Sequence, residues 1–409
     1  MIMKIREKIR IRAGKAVQKE NTFLLTVLYG AVRAACFLCG LRLRAVNKCG
    51  KQPEKPAIVL CNHGSFIDFI YAESLLFRSR PHFVTARLYF YHKQLGWLLR
   101  KLGCYPKSMF ALDMESTKNS LLVLKNGGLL AMMPEARLST VGRFEDIQPS
   151  TYSFLKKMGV PVYTIKFQGD YFADPKWGKG LRRGAVVEAE LDILFTAQQL
   201  TELSLSEIKA AVEQRLDYDE FRWLASRPDI RYRNKKLAEG LENVLTLCPV
   251  CGEKYTVFTK GRDVLCKNCG KLTSLDDRYG FTGDFRFENF AQWYHWQKDV
   301  LRQQILEDEN FALRSNVELR LPGDGKGLTR HAGSGVCVLD RSGLRYTGTK
   351  DGEEVDICFP LTQIYRLLFG AGVNFEIYQG TKIWYFVPEV KQSCVDWYMT
   401  SMILYDETL

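Results

Sequence analysis

A chain of 409 residues is too long for one ordinary hydrophobic core, so two or three domains are expected. Hydrophobic residues make up 46% and charged residues 25%, which excludes a disordered chain. The net charge of +12 implies an anionic partner: nucleic acid, acidic lipid headgroups or a phosphorylated substrate.

Residues 1–21 carry Lys4, Arg6, Lys8, Arg10, Arg12, Lys15 and Lys19 against Glu7 and Glu20, a charge density foreign to a secretory signal. The apolar run Thr22 to Leu41 follows, with Arg33 at its middle. A central arginine makes a spanning helix expensive, so residues 1–48 are expected to form a basic segment and a membrane-interfacial helix. The basic segment would face anionic lipid, at about 1 kcal/mol per Lys or Arg near the surface. The competing reading is a buried core helix with Arg33 paired.

Residues 49–230 alternate short apolar runs with helical ones. Ala57-Ile58-Val59-Leu60 reads as a strand that feeds into Cys61-Asn62-His63-Gly64-Ser65-Phe66-Ile67-Asp68, and a helical pattern leaves it from Phe66 to Phe77. Further strands are expected at Pro81 to Ala86, Gly128 to Met133, Val160 to Phe167 and within Arg182 to Phe195. Helices are expected at Gln94 to Leu102, Thr117 to Lys125 and, as one long amphipathic element, Ser204 to Leu224. The alternation predicts an α/β fold, a mostly parallel sheet flanked by helices.

His63 and Asp68 are candidate catalytic residues. With a helix starting at about Ser65, Asp68 sits on its first turn and points back at the imidazole, which makes His63 a general base able to deprotonate a hydroxyl. Ser65-x-x-Asp68 also reads as a capping-box variant, and one carboxylate can serve both roles. Backbone N–H groups at Gly64 and Ser65 are plausible oxyanion donors. These residues resemble the Asn-His-x-Ser-x-x-Asp (HX4D) motif of the glycerolipid acyltransferases, the lysophosphatidic acid acyltransferase family.

Three further blocks follow in the family's order. Gly103-Cys104-Tyr105-Pro106-Lys107 resembles the second block, which implies that Lys107 meets the acceptor's phosphate; Arg87, after the strand ending at Ala86, stands where the family often has another basic residue. Pro134-Glu135-Ala136-Arg137-Leu138-Ser139 resembles the third block, Pro-Glu-Gly-Thr-Arg-Ser, but Ala136 replaces its glycine and the cation arrives one residue early. The resemblance implies that Glu135 orients the acceptor or the arginine. Either Arg137 reaches the phosphate or Arg143 takes over, since a guanidinium fork suits phosphate. Gly159-Val160-Pro161-Val162 resembles the fourth block, an apolar element of the acyl or acceptor pocket; a buried parallel strand is the plainer reading.

Cys248-x-x-Cys251-Gly252 and Cys266-x-x-Cys269-Gly270 have the spacing of a four-thiolate zinc ribbon over residues 231–280. Four thiolates leave no open position, so structural zinc is expected, with a pair of disulfides as the alternative. Twelve cysteines in so large a chain do not make a secreted disulfide framework, and the cytoplasmic face of the cell membrane is the expected setting. Lys254, Lys260 and Arg262 against Glu253 and Asp263 make nucleic acid an unlikely partner.

Within residues 281–409, Trp293-Tyr294-His295-Trp296 lies on a helical pattern read as interdomain packing. Short strands then alternate with turns from about Leu313, and Cys394 to Leu404 closes as a helix, an arrangement that resembles a pleckstrin-homology or GRAM-like barrel. Together with these readings, the resemblance implies a membrane-associated O-acyltransferase that uses acyl-CoA or acyl carrier protein (acyl-ACP) and a lysophospholipid acceptor, first 1-acylglycerol-3-phosphate, with another lysophospholipid or glycerol-3-phosphate as the alternative. A catalytically idle membrane adaptor is the rival from another class.

Overall fold

The structure is a computed structural model and describes residues 17, 19–323 and 325–407. The basic residues from Lys4 to Lys15 lie outside the described residues. Helix α1 (Thr22–Leu38) starts on Asn21, whose side chain accepts the Leu24 N–H at 3.0 Å. It buries Leu25 and Cys36 and leaves Phe23, Val27, Phe37 and Leu38 in solvent. Arg33 is exposed as well and donates to the Tyr29 hydroxyl at 3.1 Å, so α1 is not a core helix. No described helix is long and apolar enough to cross a membrane.

Seven strands form the first sheet: β1 (Arg42–Asn47), β2 (Ala57–Cys61), β3 (Pro81–Ala86), β4 (Tyr105–Lys107), β5 (Leu129–Met132), β6 (Val162–Gln168) and β7 (Val186–Phe195). Their order is β1-β7-β6-β2-β5-β3-β4. Strands β2 to β6 run parallel, while β7 is antiparallel to β6 and carries β1 parallel to itself. Every residue of β2 is buried, because helices cover both faces of the sheet. Ala57, Val59 and Cys61 enter one apolar cluster, Ile58 and Leu60 the other. This is the α/β layering expected from the sequence, and it brings the C-terminal ends of the parallel strands to one edge, where such folds place their sites.

The covering helices are α2 (Asp68–Leu76), α3 (Lys93–Lys101), α4 (Met114–Lys125), α5 (Ser150–Met158), the single turn α6 (Asp170–Ala173), α7 (Ala197–Glu202), α8 (Leu205–Leu216) and α9 (Glu220–Ala225). Two expectations change. Helix α2 begins at Asp68, not Ser65, with Ile67 at its N-cap. The long helix expected over Ser204 to Leu224 is two helices, α8 and α9, broken at Asp217-Tyr218-Asp219. Asp219 accepts the Arg222 N–H at 3.0 Å and so starts a new helix, while Tyr218 is turned inward and buried.

A three-stranded antiparallel sheet follows, β8 (Val257–Lys260), β9 (Asp263–Cys266) and β10 (Gly270–Ser274). Helix α10 (Phe290–Glu307) packs it onto the rest: the Trp293 indole donates to Leu247 O at 2.9 Å and Gln297 Oε1 accepts the Thr246 N–H at 3.0 Å. The aromatic helix is thus an interdomain packing element. The C-terminal region is a separate antiparallel sheet of seven strands, β11 (Leu313–Pro322), β12 (Thr329–Asp340), β13 (Gly343–Lys350), β14 (Glu353–Pro360), β15 (Leu368–Gly370), β16 (Asn374–Gln379) and β17 (Lys382–Pro388), in the order β14-β13-β12-β11-β17-β16-β15. Helix α11 (Cys394–Asp406), buried from Cys394 to Leu404, covers it.

Candidate active site

Strand β2 ends at Cys61, and the next residue keeps the ladder going with its side chain. Asn62 Nδ2 donates to Phe167 O at 3.0 Å and its Oδ1 accepts the Phe167 N–H at 2.7 Å. This pins the turn against β6 and leaves His63 at the sheet edge, with 21% of its side chain exposed. His63 Nδ1 lies 3.0 Å from Asp68 Oδ2, so the expected pair is formed.

Three successive amides of the turn are held by three buried carboxyl groups. His63 N–H donates to Glu135 Oε1 at 3.1 Å, Gly64 N–H to Asp170 Oδ2 at 3.0 Å and Ser65 N–H to Asp68 Oδ2 at 3.0 Å. The expectation that Gly64 and Ser65 offer free oxyanion donors is therefore corrected. A buried amide must find a partner, and the carboxyl groups already supply it. Ser65 does not cap α2 either; its Oγ accepts the Ile67 N–H at 3.3 Å. A single oxygen of Asp68, Oδ2, accepts from both His63 and Ser65, while Oδ1 is buried without a partner.

The electrostatics suit a base. Burial, reinforced by Lys176, lowers His63 to about 4, so its ring is neutral at pH 7. Burial also pushes Asp68, Glu135 and Asp170 well above the usual carboxyl range.

The third-block turn is tied to this one from the neighbouring strand. Glu135 Oε2 accepts the Glu145 N–H at 2.9 Å and the Tyr218 hydroxyl at 3.4 Å, so Glu135 braces the His63 backbone and orients neither an acceptor nor an arginine. Ser139 N–H donates to His63 O at 2.8 Å. Ala136, which stands in place of the family's glycine, is left-handed with φ +57°. Ala136→Gly is expected to raise stability by about 0.5–1 kcal/mol in chemical denaturation, because a Cβ is strained at that φ.

Of the four cations expected to meet phosphate, three are already engaged. Arg137 is buried, with Nε 2.6 Å from Glu145 Oε2 and Nη2 paired to Asp146, and its guanidinium lies between the rings of Phe110 and Tyr398 at 5.4 and 5.5 Å. Arg143 pairs with Asp219 at 3.3 Å. Arg87 donates to Ser108 Oγ at 3.0 Å and pairs with Asp113 at 2.9 Å and Glu115 at 3.0 Å. Lys107, half-buried at the end of β4, has no ion pair among the described residues, and burial lowers its pKa. The fourth-block residues lead into β6, where Val162 pairs with Ile58 at the far edge of the sheet from His63. Only Val162 lies in the strand and is buried; Gly159 is the left-handed C-cap of α5, and the opposite end of β6 reaches the site instead.

The Acyltransferase family model matches residues 42–168. The match runs from β1 to the end of β6, less than half of the chain. Among solved structures, the chain is similar to the 1-acyl-sn-glycerophosphate (LPA) acyltransferase PlsC from Thermotoga maritima, at 18% identity, over 47% of this chain and 78% of that one, with a TM-score of 0.37. A likeness that distant assigns no substrate. No curated protein matches the chain.

The acyltransferase domain meets the C-terminal sheet at its third-block turn. Tyr398 donates to Glu145 Oε2 at that junction, Tyr365 to Asp146, and Arg366 pairs with Asp146 at 3.1 Å. Lys176, beyond α6, sets its ammonium 3.5 Å from the centre of the Phe369 ring, and burial lowers it to about 7. Asp170, Lys176, Glu145 and Tyr218 were not singled out from the sequence. Asp170 had a readable signal, a Gly-Asp step leaving a parallel strand; Lys176 had none.

The four ribbon cysteines converge, with their sulfurs within 4.8 Å of one another. Cys248 and Cys269 are 4.0 Å apart and Cys251 and Cys266 3.8 Å. Tetrahedral zinc–thiolate bonds of about 2.3 Å put sulfurs roughly 3.8 Å apart, so the set can hold a metal ion. All four are free thiols, not disulfides.

Proposed function

We propose that the protein is a membrane-associated O-acyltransferase that moves a fatty acyl group from a thioester, acyl-CoA or acyl-ACP, to the free hydroxyl of a lysophospholipid. The first candidate acceptor is 1-acylglycerol-3-phosphate, giving phosphatidic acid. The observation that carries this reading is the His63–Asp68 pair, 3.0 Å apart at the strand-end edge of an acyltransferase-family domain. His63 Nε2 removes the acceptor's hydroxyl proton while Nδ1–H donates to Asp68. The alkoxide attacks the thioester carbonyl, the tetrahedral adduct collapses, the C–S bond breaks, and the departing thiolate takes the proton from the imidazolium. Transfer is direct. Cys61 is wholly buried, with its thiol pushed up by burial, and Ser65 is buried with its hydroxyl on the Ile67 amide, so neither is an accessible nucleophile.

Lys107 is the leading candidate to meet the acceptor's phosphate, because it alone of the four expected cations is unpaired among the described residues. The engagement of Arg137 by Glu145 and Asp146 favours a second reading, an acceptor other than 1-acylglycerol-3-phosphate: another lysophospholipid or glycerol-3-phosphate. Thiol release by purified protein in mixed micelles, with lyso-acceptors bearing or lacking a phosphomonoester, separates the two. Turnover confined to lysophosphatidic acid supports the first, turnover with other acceptors alone supports the second, and no turnover with any acceptor or carrier overturns both and favours the adaptor.

The exposed apolar face of α1, with the basic segment ahead of it, supports docking on an anionic membrane surface. Changing Phe23, Phe37 and Leu38 together to Asp is expected to weaken vesicle binding by about 100-fold or more in co-sedimentation, since each apolar side chain withdrawn from lipid forfeits ~1.5 kcal/mol or more. The ribbon cysteines would hold structural zinc, measured as one zinc per chain by atomic absorption and lost in Cys266→Ser. The C-terminal sheet, read as a pleckstrin-homology or GRAM-like domain, would aid membrane or partner contact.

A further inference from the structure

We propose that Asp170 is a positioning residue of the His63–Asp68 pair, sharing one proton with Asp68 while its Oδ2 fixes the Gly64 amide. The proposal rests on the acyl-transfer reading for its kinetic consequence, but the proton arrangement stands on geometry. Asp170 opens α6 at the end of β6, is fully buried, and accepts the Gly64 N–H at 3.0 Å. There is no slack in that approach: a Cβ on Gly64 would lie 2.3 Å from Asp170 Oδ2.

Asp170 and Asp68 take the successive Gly64 and Ser65 amides, which sets the two buried carboxyl groups side by side, and each has an Oδ1 buried with no partner. Two carboxylates in contact away from water cannot both ionise, and a contact between two bare acceptors is repulsive. One proton between them turns that contact into a bond. Asp68 alone of the two accepts from the His63 ring, which gains charge in turnover, and the Glu220 carboxyl lies closer in effect to Asp170, so charge is favoured on Asp68. The proton therefore resides on Asp170, which donates to Asp68 and accepts from Gly64.

The surroundings keep it there. Glu220 on α9, held by the Gly169 N–H at 2.6 Å, adds a further buried carboxyl that opposes ionisation of Asp170. Tyr71 on α2, Tyr218 and Tyr232 also face the pair, and all are neutral at pH 7 because burial raises them. His63, Asp68, the buried Cys61 thiol, Asp174 and Lys176 are the other titratable neighbours. A neutral Asp170 orients Asp68 without adding a second negative charge beside His63. The imidazole thus stays unprotonated and aimed.

The test uses full-length protein labelled with ¹⁵N-histidine, with the His63 resonances assigned by their loss in His63→Ala. Wild type, Asp170→Asn and Asp170→Ala are compared by imidazole titration and by kcat and KM for thioester consumption. Asp170→Ala strips Asp68 of a donor and makes it a stronger base, so the His63 titration should rise by about one pH unit. The kcat should fall about 10- to 100-fold, with KM little changed, as the turn loosens. Asp170→Asn offers an amide N–H to Asp68 and a carbonyl to Gly64, so it should recover most of the rate and return the titration toward wild type. An infrared difference spectrum, wild type minus Asp170→Asn, should show the carbonyl stretch of a protonated carboxyl, and it serves even if Asp170→Ala does not fold. A His63 titration unmoved in Asp170→Ala, an Asn variant as impaired as Ala, or no protonated-carboxyl band would overturn the proposal. If wild type turns over no acceptor while the titration shift and infrared band are as expected, the proton arrangement stands and the acyl-transfer reading fails.

Discussion

Arg137→Ala is expected to destabilise the protein by about 3–5 kcal/mol in chemical denaturation, because it leaves the largely buried Glu145 without its cation, while Asp146 keeps Arg366. Arg137 Nε sits 2.6 Å from Glu145, and the same two carboxylates receive Tyr398, Tyr365 and Arg366 from the C-terminal region. The loss should therefore loosen that region's seat on the acyltransferase domain, seen as faster proteolysis between the two. Arg137→Lys should fall between, since an ammonium cannot reproduce the fork. An Arg137→Ala protein as stable as wild type, but with a raised KM for phosphomonoester acceptors, would return to Arg137 the phosphate role that the third-block resemblance implies.

His63→Ala is expected to lower kcat by about 10²–10⁴-fold, the range a positioned general base supplies, with the far-ultraviolet circular dichroism unchanged. Asp68→Asn should fall in the same range by a different route. Its amide can present a donor to Nδ1, favouring the tautomer with the proton on Nε2, where the acceptor's hydroxyl needs a base. The two losses should not add in the double variant, because the residues act as one unit. A double variant with the product of the single losses would mean that Asp68 acts elsewhere.

The α/β core and the His63–Asp68 pair were legible in the sequence because their signals are local. A continuous apolar run such as Ala57 to Leu60 marks a strand buried on both faces, and a five-residue step from His63 to Asp68 spans one turn. What the sequence hid is long-range. Arg137 looked like a phosphate ligand, but its partners are a loop eight and nine residues on, and Tyr398 lies more than two hundred residues away. Gly64 and Ser65 looked like free amides, yet Asp170, which holds the Gly64 amide, comes from a strand end 106 residues later. The helix break at Asp217 to Asp219 was missed because the apolar periodicity continues across it; Tyr218 leaves the helix to reach Glu135. Strand β1 was missed because its alternating Arg and apolar residues are mostly exposed at the sheet edge.

The pH dependence of kcat/KM for thioester consumption, wild type beside His63→Ala, bears most directly on His63 as the base. Burial holds His63 at about 4, below its ordinary range, so the active neutral ring persists as pH falls. Wild type should keep a level kcat/KM from neutral pH to about one unit above that value, then lose it as the imidazole protonates. His63→Ala should show only a residual rate, with that acid limb gone. A His63→Ala protein that keeps both the wild-type rate and the wild-type acid limb would contradict the assignment of His63 as the base.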